Sequence, residues 1–130
     1  MILLVDREGN EPVYRQIAHQ IREQIAAGRL APGTLLPAVR GIASDLGVNL
    51  NTVARAYRQL ESEGFVRIRH RSGAQVVAPG YRASRGSRTE LRAELRRLLS
   101  RMRQAGLTVN ELEQCMNREI GRMARREERP

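Results

Sequence analysis

Apolar residues recur every four positions at Val13, Ile17, Ile21 and Ile25, with Ala18 beside them, which predicts a helix with one buried face. Gly9-Asn10 turns the chain ahead of it. Asn10 or Glu11 is the expected cap, Pro12 suits the first turn, and Gly28 ends the helix. Before it, Ile2 to Val5 is a short apolar run that predicts a strand. Pro32-Gly33 marks a turn. Leu36-Pro37 then opens a second, shorter helix with Val39, Ile42, Ala43 and Leu46 as its apolar face, and Gly47 breaks it. Val48 packs in the following turn. Asn49 is the natural cap of a third helix, facing the amides of Asn51 and Thr52. Val53, Ala56, Tyr57 and Leu60 dock that helix, and Gly64 terminates it.

The period then changes from helical to alternating. Phe65, Val66 and Ile68 are apolar while Arg67 and Arg69 are polar, and Ala74 to Ala78 returns with Val76-Val77. This predicts a hairpin with His70, Arg71, Ser72 and Gly73 at its tip. Pro79-Gly80 and the stretch rich in Arg, Ser and Gly up to Gly86 mark a boundary. Two capping-box patterns follow, Ser87-Arg88-Thr89-Glu90 and Thr108-Val109-Asn110-Glu111. Each opens an amphipathic helix. The first carries Leu91, Leu95, Leu98 and Met102, the second Leu112, Met116, Ile120 and Met123. The short Gly106-Leu107 connection predicts an antiparallel pair, and a charged tail ends the chain.

The predicted fold is therefore mainly α with a small β wing. It comprises an N-terminal winged helix-turn-helix over residues 1–79, a linker over 80–86, and a C-terminal antiparallel two-helix dimerisation unit over 87–130. In a winged helix-turn-helix the helix after the turn enters the DNA major groove.

Composition sharpens this reading. A chain of 130 residues supports one compact domain, or a small domain with an appendage. Its formal net charge of +9 favours an anionic partner, nucleic acid ahead of an anionic membrane surface. All 23 basic residues are arginine, whose planar fork grips phosphates and guanine edges at two points. The absence of lysine excludes a Schiff base with a pyridoxal cofactor and a P-loop. Cys115 stands alone, and His19 and His70 lie far apart, so the sequence has no zinc spacing and no internal disulfide. His19, off the isoleucine stripe, reads as a surface residue. Asp6-Arg7-Glu8 ends the apolar start too early for a signal peptide, and no apolar run approaches the roughly 20 residues of a membrane span. The expectation is a cytoplasmic protein that is not an enzyme, with no cofactor, no metal and no membrane partner.

Pro12-Val13-Tyr14-Arg15-Gln16-Ile17, Gly28-Arg29-Leu30-Ala31-Pro32-Gly33-Thr34-Leu35-Leu36-Pro37 and Val39-Arg40 together resemble the GntR family of bacterial transcription regulators. Val48-Asn49-Leu50-Asn51-Thr52-Val53, Ala56-Tyr57, Leu60-Glu61 and Gly64 continue the likeness, which covers about residues 11–79. The Asn-x-Asn-Thr-Val form and the short segment behind the wing resemble the YtrA subfamily. That resemblance implies a C-terminal helix pair used for dimerisation, no large effector domain, and in many members repression of ABC-transporter operons. Two departures stand out. Ala38 replaces the usual Ser after Leu-Pro, and Ala74-Gln75 replaces the Thr-Phe of the usual wing.

The resemblance implies a DNA-contacting role for Arg40, whose other reading is a solvated helix charge. Asn49, Asn51 and Thr52 lie on the exposed first turn of the third helix, where amides and a hydroxyl meet base edges or phosphates. For Asn49 the plain capping role is the competing reading. Leu50 stands where relatives outside the subfamily carry Arg, so it either touches a thymine methyl or touches nothing. Arg55 and Arg58 are candidates for phosphates or a guanine, or are solvated, while Tyr57 continues the docked stripe and belongs to the core. His70, Arg71, Ser72 and Gly73 are the wing candidates for backbone or minor groove. The expected partners are double-stranded DNA and a second copy of the chain, with any small-molecule effector left unidentified. The expected function is a homodimeric regulator, repressing at an inverted-repeat operator. The alternatives are a non-regulatory DNA-binding protein such as a plasmid-partition or nucleoid factor, and an interaction protein whose terminal helices recruit a different partner.

Overall fold

The computed structural model describes residues 1–69, 73–80 and 88–127. Helices α1 (Val13–Ala26), α2 (Val39–Leu46) and α3 (Leu50–Ser62) combine with strands β1 (Leu35–Leu36), β2 (Val66–Arg69) and β3 (Gly73–Val76). Helices α4 (Arg88–Gln104) and α5 (Val109–Glu127) follow. The chain divides into two compact units, Met1–Arg85 and Gly86–Pro130.

In the first unit the predicted stripes converge. Ile17 and Ile21 of α1, Val53, Tyr57 and Leu60 of α3, Leu36 of β1 and Val76 of β3 are almost wholly buried. Val13, Ile25, Val39, Leu46, Val48 and Phe65 pack around them. Burying each such side chain contributes about 1.5–3 kcal/mol. At the edge of this core Arg22 of α1 forms a half-buried ion pair with Glu63 behind α3 at 2.6 Å. His19 lies on the exposed side of α1 beside Glu23, as its place off the stripe predicts.

The sheet is antiparallel in the order β1-β3-β2. Val66 faces Val76, Ile68 faces Ala74 and Arg69 faces Gly73 in the hairpin, while Leu36 pairs with Ala74 on the other edge. Strand β1 corrects the expectation at Leu36-Pro37. Those residues do not open α2; Leu36 belongs to the sheet, and α2 begins at Val39 behind an extended Ala38.

Two expectations at the start of the chain are also corrected. Helix α1 begins behind Pro12, and neither Asn10 nor Glu11 caps it with a side chain. The run Ile2 to Val5 is not a strand. Backbone bonds of this run and of Asp6 after it go to side chains one helical turn apart on α1. Gln20 accepts from the Leu4 N–H at 2.9 Å and donates to its carbonyl at 2.5 Å. Gln16 does the same for Asp6 at 2.8 and 2.7 Å. Glutamines four residues apart thus reproduce a ladder for backbone groups two residues apart.

In the second unit α4 and α5 pack on each other across the connection at 105–108. The Thr108 capping box forms as predicted. Thr108 Oγ1 accepts from the Glu111 N–H at 3.1 Å, and the Glu111 carboxylate accepts from the Thr108 N–H at 3.4 Å. The other capping box begins at Ser87, outside the described residues. Of the eight stripe residues only Leu112 is buried; Met102 and Met116 are half-buried, and Leu91, Leu95, Leu98, Ile120 and Met123 are exposed. Among the described residues no helix is long and apolar enough to cross a membrane.

Candidate nucleic-acid interface

The turn between α2 and α3 is fixed from three directions. Gly47 takes the left-handed conformation (φ +66°) that ends α2. Val48 N–H donates back to the Ala43 carbonyl at 3.0 Å. The Arg7 guanidinium donates to the carbonyls of Leu46 and Gly47, taking up acceptors left open where the helix stops. Asn49 then caps α3, its Oδ1 accepting from the Asn51 N–H at 2.8 Å. Thr52 N–H instead bonds the Asn49 backbone carbonyl at 3.0 Å, so the cap serves one of the two expected amides.

Two side chains in the second half of helix α3 anchor it to its surroundings. The Tyr57 hydroxyl donates to the Pro37 carbonyl at 2.6 Å, tying α3 to the segment that leads into α2. Burial pushes the Tyr57 phenol above its usual range, which keeps it a neutral donor. Tyr57 is therefore core, as its place in the stripe predicts. One turn further on, the Glu61 carboxylate accepts from the Ile68 N–H at 2.7 Å, and Phe65 N–H bonds the Leu60 carbonyl at 2.9 Å. These bonds set the angle at which the hairpin leaves α3.

Between α2, α3 and the hairpin lies an open groove of about 630 Å³. Arg40, Leu50, Asn51 and Arg58 line it from the helices, and Ile68, Arg69 and Gly73 from the hairpin. Among the described residues none that lines it is acidic. Arg40, Asn51 and Arg58 are exposed, and Leu50 keeps 42% of its surface. The structure thus gathers four of the helix candidates on one face, with Gly73 of the hairpin beside them. Asn49 is exposed at the cap with its oxygen engaged, Thr52 is half-buried, and Arg55 stands off the groove over the ring of Tyr14.

The hairpin departs from expectation at Gly73. It is not a tip residue but the first residue of β3, buried and paired with Arg69. Its φ is +86°, and a Cβ there would stand 2.4 Å from the Leu36 carbonyl oxygen. Its glycine is thus a packing requirement of the β1–β3 contact. His70, Arg71 and Ser72 lie outside the described residues. Ala54, Ile68 and Arg69 line the groove although sequence reasoning did not select them. Ala54 was available from the helical spacing, one turn from Leu50 and Arg58.

Guanidiniums, a primary amide and an apolar side chain on one exposed face suit a polyanion that carries base edges. Among the described residues no three His, Cys, Asp or Glu side chains gather into a metal-binding group.

Comparison with known proteins gives a consistent picture. Residues 13–76 match the sequence model of the bacterial regulatory proteins of the gntR family. The HTH-type transcriptional regulator Rv1152 of Mycobacterium tuberculosis is 49% identical over 74 residues, 57% of this chain and 61% of that protein. The chain thus spans less than two thirds of that relative. The HTH-type transcriptional repressor YtrA of Bacillus subtilis is 30% identical over 112 residues, 85% of this chain and 86% of that protein. Among solved structures, YtrA from Sulfolobus acidocaldarius, a GntR-family transcription factor, superposes with a TM-score of 0.61 at 40% identity. That match covers 77% of this chain and 99% of the other.

Proposed function

The chain belongs to the GntR family of bacterial regulatory proteins, in its YtrA-like branch, and from that premise we propose that it is a sequence-specific DNA-binding transcription regulator. The observation that carries the proposal is the acid-free groove where Arg40, Leu50, Asn51 and Arg58 share one exposed face. In this reading α3 enters the major groove with its first turn foremost. Asn51 reads a base edge, Leu50 contacts a thymine methyl, and Arg40 and Arg58 take a guanine or phosphates. Asn49 and Thr52 stand at the helix start, where partial positive charge favours a phosphate. Gly73 fixes the loop end of the hairpin, where it pairs with Arg69, and lines the groove through its backbone. By sequence, His70, Arg71 and Ser72 meet the backbone or minor groove.

The protein acts as a cytoplasmic homodimer without enzymatic activity, repressing at an inverted-repeat operator. The exposed stripes of α4 and α5 support the dimer. Repression, and a transporter operon as target, follow the family likeness.

Asn51→Ala tests base reading. It is expected to cost about 1–3 kcal/mol on a duplex selected by the wild-type chain and little on random duplex, because a base-edge contact carries sequence information. Titration of both duplexes measures this. An equal loss on both would assign Asn51 to the backbone and move base reading to another residue.

A further inference from the structure

On the flank of α3 that faces α1, away from the groove, two arginines from different helices meet one tyrosine. Arg55 of α3 stacks over the Tyr14 ring with its Cζ 3.9 Å from the ring centroid. Arg15, the next residue of α1, donates from Nε to the Tyr14 hydroxyl at 3.0 Å, with its Cζ 5.8 Å from the same centroid. Both arginines are exposed, whereas Tyr14 is half-buried and packs on the core. Neither guanidinium has a carboxylate partner among the described residues. Two like charges drawn to one ring repel each other. The π face holds one and the phenol oxygen orients the other, at a cost that an anion shared between them would relieve.

We infer that Tyr14, Arg15 and Arg55 form a phosphate clamp that grips the DNA backbone beside the major groove, an inference that rests on the DNA-binding reading above. Arg55 lies one helical turn beyond Asn51 along α3, rotated from the groove toward α1. With Asn51 at the bases, Arg55 is carried toward a strand bordering the groove. A helix in the major groove has a sugar–phosphate strand on either side. Arg40 and Arg58 face the hairpin side. Arg55 and Arg15 supply the α1 side, where guanidinium forks suit phosphate oxygens. Tyr14 is a positioning residue here. It holds both forks before DNA arrives, so less side-chain freedom is lost on binding.

The test compares two probes, a duplex selected by the wild-type chain from a randomised pool and a duplex of random sequence. Arg15→Gln combined with Arg55→Gln is expected to weaken binding to both by the same factor. The slope of log affinity against log salt should fall by about 0.9 or more, one released counterion for each lost phosphate contact. Arg15→Lys combined with Arg55→Lys keeps the charge and should keep that slope. Tyr14→Phe keeps the ring and removes the acceptor, so it should weaken binding only while Arg15 is present. An unchanged slope in the glutamine variant, or a loss confined to the selected duplex, overturns the clamp while leaving the DNA-binding reading intact. Failure of the wild-type chain to bind any duplex overturns that reading and the clamp with it.

Discussion

A chain carrying Leu95→Glu and Leu98→Glu is expected to sediment as a monomer of 14.7 kDa, and the unaltered chain, on the proposed reading, at twice that mass. The reason is the balance of apolar surface in the C-terminal unit. Helices of 17 and 19 residues pack together and yet, among the described side chains, bury only Leu112. Leu91, Leu95 and Leu98 stay 39–47% exposed, Ile120 and Met123 above half, and Val109 at 67%. Two amphipathic helices have too little mutual surface to cover both stripes, and in the proposed dimer a second copy of the pair supplies the missing layer. A glutamate in the middle of that seam has no buried partner and opposes its own copy across a two-fold axis. Loss of the dimer also separates the two DNA-reading modules. Binding to a two-half-site duplex should then fall by about 10²–10⁴, the usual gain from linking two sites. Sedimentation together with titration of that duplex reads both effects. A variant that still sediments as a dimer would place the seam elsewhere in the chain.

The second large effect concerns Gly73→Ala. A side chain at φ +86° costs about 1–2 kcal/mol in backbone strain. The new Cβ would also lie 2.4 Å from the Leu36 carbonyl oxygen and 2.9 Å from that of Pro37, both backbone atoms. Relieving this overlap adds about 1–3 kcal/mol, as overpacking does elsewhere. The shift also pulls at the Leu36–Ala74 pairing and at the Pro37 carbonyl that accepts from Tyr57. The expected result is a loss of about 2–5 kcal/mol and a fall in melting temperature of roughly 10 °C or more for a unit of this size. Gly33→Ala is the control. Gly33 has a similar φ of +92°, but nothing lies within 4 Å of its added Cβ, so only the backbone strain applies. Thermal melts followed by circular dichroism would contradict the account if the two variants lost equal stability.

Helical periodicity carried most of the fold. The stripes Val13-Ile17-Ile21 and Val53-Ala56-Tyr57-Leu60 predict which faces meet, and those faces form the core. What periodicity cannot register is pairing between distant residues. Strand β1 has only Leu35 and Leu36, too short to alternate, and its partner lies some forty residues further on at Ala74-Gln75. The apolar run at Ile2 to Val5 satisfies a strand pattern, but the backbone of Leu4 is taken up by Gln20 and that of Asp6, just after the run, by Gln16, glutamines whose role depends on the packed helix. Gly73 looks like a turn residue in sequence. Its burial follows from the passage of Leu36-Pro37 beside it.

The candidate site divides the same way. Arg40, Leu50, Asn51 and Arg58 sit on helices whose register the sequence reveals, and they share the groove. Arg69 lies on a strand, where its approach to α2 and α3 depends on the hairpin angle set by Glu61. The meeting of Arg55 with Tyr14 depends on how α1 crosses α3, which no local pattern encodes.

The most direct test of the central claim is selection of duplexes from a fully randomised pool by the full chain, followed by sequencing of the bound fraction. A sequence-specific dimer predicts enrichment of an inverted repeat whose half-sites lie about one helical turn apart, or a multiple of it. Asn51→Ala should relax the preference at one symmetric pair of positions. Binding without an enriched sequence would contradict the account and mark the chain as a non-specific DNA-binding protein.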